Sequence, residues 1–123
     1  MKTRGFTLIE LLVTLAIIGL LLTIAAPSYM GRAAKAEEAV LRQNLALLRD
    51  ALDKHYADAG RYPENLQELV SRRYLRAMPQ DPMTHSNGTW VPVRPADPAM
   101  GGVFDLRSGA RGTGSDGRPY AQW

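Results

Sequence analysis

Glu10 is the residue whose placement most needs a chemical reason: it is the one charge in the 21 residues from Phe6 to Ala26. An ionised carboxylate within a spanning helix costs on the order of 2–3 kcal/mol at mid-depth and less near an interface. Five positions into the run, Glu10 lies about 7 Å deep at ~1.5 Å per residue. From there it could snorkel to the interface as a tolerated acid or await a cation from another chain, and position alone leaves both open. Other reactive-looking residues offer less. Gly112-Thr113-Gly114-Ser115-Asp116-Gly117 spells G-x-G-x-x-G, but a dinucleotide site needs a strand before it, a helix after it and an acid about 20 residues on; Pro119 forbids that helix. His55 and His85 lack a second His or Cys at ligand spacing, and His55 reads as a helix-surface residue. Ser28, Ser71, Ser86, Ser108 and Ser115 have no nucleophile-elbow context, and Trp90 and Trp123 read as core or subunit-contact residues. With no catalytic constellation, the expectation is not an enzyme.

The element that must position Glu10 is long and apolar. Twenty-one helical residues span about 31 Å, the thickness of a hydrocarbon core. Lys2 and Arg4 precede the run and predict a cytoplasmic N-terminus with everything after residue 28 across the membrane. A cleaved secretory signal competes, but its apolar core would be about 7–15 residues, and Pro27 follows the only small-residue site, Ala25-Ala26. The net charge of +3 is spread widely, and no basic cluster exceeds Arg72-Arg73, which argues against a nucleic-acid partner. The absence of cysteine removes disulfides and thiolate metal sites and leaves the redox compartment open.

Beyond Pro27 the chain changes character. Leu41, Leu45, Leu48, Leu52, Tyr56 and Ala59 recur at helical spacing, and Gly60 is a fitting terminator. The spacing predicts one continuous helix from about Phe6 to Ala59, kinked at Pro27, where a hydrogen bond is deleted; a helix simply ending at the membrane surface is the alternative. A coiled coil would need more sustained heptads than Ala33 to Val40 supply. Leu66, Leu69 and Val70 predict a short second helix. The prolines of Met78-Pro79-Gln80-Asp81-Pro82 impose extended chain. Extended runs are predicted at Thr89 to Val93, Val103 to Arg107 and Pro119 to Gln122, with turns at Asn87-Gly88 and Gly101-Gly102. The expected fold class is α+β: a long N-terminal helix, half transmembrane and half amphipathic, packed on a small antiparallel sheet.

Gly5-Phe6-Thr7-Leu8-Ile9-Glu10 closely resembles the processing site of type IV pilins and type II secretion pseudopilins. In that superfamily a short basic leader is cut after the glycine, the new N-terminus is methylated, and an acid stands fifth after the cut. The resemblance implies a leader over 1–5, cleavage and methylation at Gly5 and Phe6, a transmembrane helix over 6–27, its amphipathic continuation over 28–60 and an α+β periplasmic head over 61–123. It also implies that Glu10 meets the N-terminal amine of a neighbouring subunit during assembly, and that Pro27 marks where the helix loosens in a filament.

Tyr62-Pro63, Leu66, Leu69, Tyr74-Leu75, Pro79-Gln80-Asp81-Pro82 and Val103-Phe104-Asp105-Leu106 resemble the major pseudopilin branch in order and spacing. That branch binds calcium through a G-A-D-G stretch, a G-x-G and closely spaced aspartates. Here Gly109-Ala110-Arg111-Gly112 has arginine where the first acid belongs, and Asp116 has lost its acidic partner. Calcium takes six to eight oxygens, so Asp105 and Asp116 are the residual calcium candidates, and a glycine loop without metal or other cofactor is the expectation.

The function implied is that of a structural subunit polymerising into the periplasmic pseudopilus of a type II secretion system. The alternative is a minor pilin of a type IV pilus, serving adhesion, motility or DNA uptake; a signal-anchored binding module or enzyme is the reading from a different class. The partners implied are other pseudopilins in a homo-oligomeric filament, the prepilin peptidase and an assembly platform in the bacterial inner membrane. The chain is expected to cross that membrane once, with its head in the periplasm.

Overall fold

A computed structural model describes residues 2–123. The chain divides into two compact units, one ending at Lys35 and one spanning Ala36–Trp123. One helix, α1 (Leu8–Ala59), supplies residues to both and stays helical through Pro27. In the first unit the large apolar side chains from Leu8 to Ile24 are all exposed. None of this apolar stretch is buried. Leucine- and isoleucine-rich sequence with no internal core to face is long and apolar enough to cross a bilayer.

The second unit has a core of its own. Leu41, Leu45, Leu48, Ala51 and Leu52 of α1 are buried and cluster with Leu69, Leu75, Trp90, Val103, Leu106 and Trp123. The period continues to His55, only 2% exposed, rather than to Tyr56, which is 39% exposed, or to Ala59, also exposed. The surface placement expected for His55 is therefore corrected. Its ring nitrogens lie 2.8 Å from the Arg61 carbonyl and 3.3 Å from Glu68 Oε1, and a buried polar ring with both nitrogens partnered escapes the usual burial penalty.

α1 stops where Gly60 takes a left-handed φ of 71° and donates its N–H to the Tyr56 carbonyl at 2.8 Å. A Cβ at Gly60 would meet nothing within 4 Å, so Gly60→Ala should cost only conformational strain, about 1–2 kcal/mol. Thermal unfolding of the full chain in detergent checks this.

Next comes α2 (Gln67–Ser71), started by Asn65, whose Oδ1 accepts the Glu68 N–H at 3.0 Å. Leu69 is buried in the core, with Leu66 and Val70 packed at its margin. In the proline-rich connection Asp81 accepts the Met83 N–H at 2.8 Å and the Ser108 hydroxyl, and Trp90 donates its indole N–H to the Pro79 carbonyl at 2.8 Å. Two short strands, β1 (Val91–Val93) and β2 (Asp105–Arg107), pair antiparallel with Val91 opposite Arg107 and Val93 opposite Asp105. Pro92 is tolerated because β1 is an edge strand.

The fold is thus α+β, with strands shorter than expected and the third extended run overturned. Pro119 to Gln122 is not extended: Tyr120–Gln122 form a 3-10 turn. Residues three apart eclipse in that geometry, which places Tyr120 and Trp123 edge to face, with centroids 5.2 Å apart, and seats Trp123 in the core.

Candidate functional site

Gly5 and Phe6 lie ahead of α1 in non-helical chain, exposed, with Phe6 90% open to solvent. A Cβ on Gly5 would meet nothing within 4 Å, and its backbone is not left-handed. Nothing in this fold therefore requires glycine there; the requirement, where one exists, comes from outside the chain.

Thr7 begins the helix, its carbonyl accepting the Leu11 N–H at 3.2 Å. Its hydroxyl accepts the Glu10 N–H at 3.2 Å, while Glu10 Oε2 accepts the Thr7 N–H at 2.9 Å. This is a reciprocal capping box, worth about 0.5–2 kcal/mol, with the carboxylate also favoured by the partial positive charge of the helix end. Glu10 is thus held by its own backbone before any neighbour arrives. Its Oε1 accepts no hydrogen bond among the described residues, which leaves one oxygen for an incoming cation. Thr7 is legible in the sequence as the first residue of a T-x-x-E capping pattern, a local signal independent of the charge on Glu10. Pro27 lies exposed inside α1, nearly five turns after Glu10 at ~3.6 residues per turn.

In the second unit a buried acid absent from the sequence-based candidates organises the glycine-rich tail. Glu38 accepts the Ser115 N–H at 2.8 Å, the Ser115 hydroxyl at 2.5 Å and the Tyr120 hydroxyl at 3.1 Å. It stands three residues before Leu41 and extends the buried stripe by one turn, so the helical period could have found it. Asp116 faces away from this acid's role: it accepts the Arg118 N–H at 3.0 Å and Arg118 Nε at 2.9 Å, with the Arg42 guanidinium 3.7 Å off. Arg42 also lies over the Trp123 ring, 4.3 Å from its centroid. Asp105 pairs instead with Arg49 Nε at 2.9 Å, and the same guanidinium holds the Leu106 and Trp123 carbonyls. Both calcium candidates are therefore held by arginine. Among the described residues no three His, Cys, Asp or Glu side chains gather as a metal site.

The hydrogen bond from the Ser115 hydroxyl, ahead of smaller contributions, lowers the Glu38 pKa; the Arg118 N–H, first, lowers that of Asp116. Unfolded carboxyls titrate near about 4.3 for Glu and 3.9 for Asp. Depressed folded values mean that this stabilisation is fully present above the unfolded values and is lost as pH falls through the folded ones. Acid titration followed by Trp fluorescence should show the tail loosening below about pH 4.

A shallow groove of about 280 Å³ runs beside Leu66, Met78, Trp90 and Val103. Its lining includes Glu64 and Arg94 but no nucleophile beside a base.

Residues 1–26 match the family described as "Prokaryotic N-terminal methylation motif". Over 97 residues the chain is 36% identical to the type II secretion system core protein G of Klebsiella pneumoniae, covering 66% of this chain and 69% of that one. With the protein of the same name from Klebsiella michiganensis it shares 31% over 130 residues, 92% of this chain and 89% of the relative. With that of Escherichia coli it shares 33% over 97 residues, 79% and 67% of the two chains. No solved structure matches the chain.

Proposed function

This chain belongs to the family of type II secretion system core protein G, and from that premise we propose that it is a pseudopilin, a structural subunit that polymerises into the periplasmic filament of a type II secretion machine. The observation that carries the reading is the first unit: an exposed apolar helix headed by an accessible Gly5-Phe6 peptide and a capped carboxylate at Glu10. Its work is assembly rather than chemistry. Cleavage after Gly5 would free the Phe6 amine for methylation. That amine, cationic on a neighbouring subunit, would reach the open oxygen of Glu10, and a paired charge escapes most of the desolvation cost an unpaired one bears. The leucines and isoleucines of α1 then exchange lipid for close helix packing as the subunit leaves the membrane.

Lys2 and Arg4 set the orientation, N-terminus in the cytoplasm and head in the periplasm. The partners that follow are the prepilin peptidase, the inner-membrane assembly platform and further copies of the chain. Relatives named for type II secretion favour this machine over a type IV pilus.

Glu10→Ala tests the mechanism. It removes an intramembrane charge, so insertion should be preserved, while cysteine cross-linking between α1 helices should lose its multimer ladder at least about tenfold, the equivalent of about 1.4 kcal/mol. Ladders of wild-type intensity would reduce Glu10 to a capping residue and nothing more.

A further inference from the structure

The major pseudopilin branch that this chain resembles holds its C-terminal loop with calcium. The residues here do not suit that ion. Calcium takes six to eight oxygens, with carboxylates prominent among them. The acids near the loop already serve other partners: Glu38 receives three donors from Ser115 and Tyr120, and Asp116 is bound by Arg118 and approached by Arg42. Arg111 stands where that branch has its first acid, and a guanidinium beside the loop opposes a cation.

We infer that the tail loop from Gly112 to Tyr120 is closed by the chain's own groups in place of calcium, with Glu38 collecting the loop's donors and the guanidiniums of Arg118 and Arg42 supplying the positive charge beside Asp116. The geometry is that of an internal clamp. Ser115 is fixed by both its N–H and its hydroxyl to one carboxylate on α1. The turn is completed by the Gly114 N–H donating to the Arg118 carbonyl at 2.9 Å and the Tyr120 N–H to the Gly112 carbonyl at 3.2 Å. The head built on this clamp folds without calcium in its surroundings and keeps its tail packed when divalent ions are scarce.

The test uses the full chain in detergent, with thermal unfolding read by Trp fluorescence in millimolar calcium and in excess chelator, and with amide hydrogen exchange at Ser115. The two midpoints should agree within about 2 °C; loss of a tightly held ion would separate them by about ten degrees or more, and that separation would overturn the inference. Glu38→Gln keeps size but cannot accept from both Ser115 donors. It should lower the midpoint by about 4–8 °C and speed Ser115 exchange at least tenfold, equally with and without calcium. Should Glu38→Gln not fold, Ser115→Ala and Arg118→Gln carry the same reading, each lowering the midpoint without rescue by calcium. Variants that leave midpoint and exchange unchanged, or that calcium restores, would contradict it.

Discussion

Gly5→Leu should leave the chain uncut. The structure makes this substitution unusually clean to interpret, because the glycine is not used by the fold. Its backbone is outside the left-handed region, a Cβ there meets nothing, and the capping box of Thr7 and Glu10 begins two residues later. Leucine at position 5 thus changes neither the start of α1 nor the apolar helix that follows, and it leaves Lys2 and Arg4 to orient the segment. What it does change is the group presented ahead of the Gly5-Phe6 bond, which the proposed prepilin peptidase would have to accommodate in place of glycine. The expected result is nearly complete accumulation of membrane-inserted precursor beginning at Met1, where the proposed processing would have the wild-type chain begin at methylated Phe6. N-terminal sequencing and intact mass of membrane-extracted protein measure both. A leucine variant processed as fast as wild type would mean that the glycine has no processing role.

Gly101→Ala is the second large effect, and it acts on the head. Gly101 sits at a φ of 120°, and a Cβ there would fall 2.3 Å from the Tyr62 carbonyl oxygen, backbone that cannot step aside as a flexible side chain would. Next to it the Tyr62 N–H donates to the Met100 carbonyl at 2.7 Å. Beside it the N–H groups of Gly102 and Val103 both donate to the Pro63 carbonyl, at 3.2 and 2.9 Å. These bonds tie the segment after α1 to the approach of β2. Steric overlap plus left-handed strain should cost about 3 kcal/mol or more, a large share of the 5–15 kcal/mol typical of a domain. Near-ultraviolet circular dichroism should show the head largely unfolded or its midpoint lowered by more than about 10 °C, while helicity in the first unit persists. Set beside Gly60→Ala, whose Cβ meets open space, the pair separates strain from collision. Equal, small losses in both would show that Tyr62 can move.

What the sequence made legible follows the strength of local rules. The apolar run, the helical period from Leu41 to Leu52, the Gly60 stop and the existence of two strands rest on patterns that survive without knowledge of partners. The extent of β2 did not, because the N–H groups of Gly102 and Val103 are taken by the Pro63 carbonyl, distant in sequence, before the strand can begin. The tail misled for a different reason. Pro119 and Tyr120 suit extended chain locally, and the 3-10 turn is chosen by packing Trp123 into a core built on α1. His55 goes inward because its place on the helical period faces the core and two oxygens there partner its ring nitrogens, which outweighs the surface preference of its residue type. Glu38 follows the same physics, an acid on the inward period whose oxygens are taken up by Ser115 and Tyr120. Resemblance led to the calcium candidates Asp105 and Asp116, but the residue that anchors the loop is the acid 77 positions before Ser115.

The central claim is that this chain is a filament subunit of a protein-secretion machine. The most direct measurement is deletion of its gene in the native host, followed by complementation with the wild-type chain and with Glu10→Ala. Export of secreted proteins into the medium is scored beside twitching motility and DNA uptake. The account predicts loss of export alone, restored by wild type and not by Glu10→Ala. Normal export after deletion, or loss of motility or DNA uptake with export intact, would contradict it.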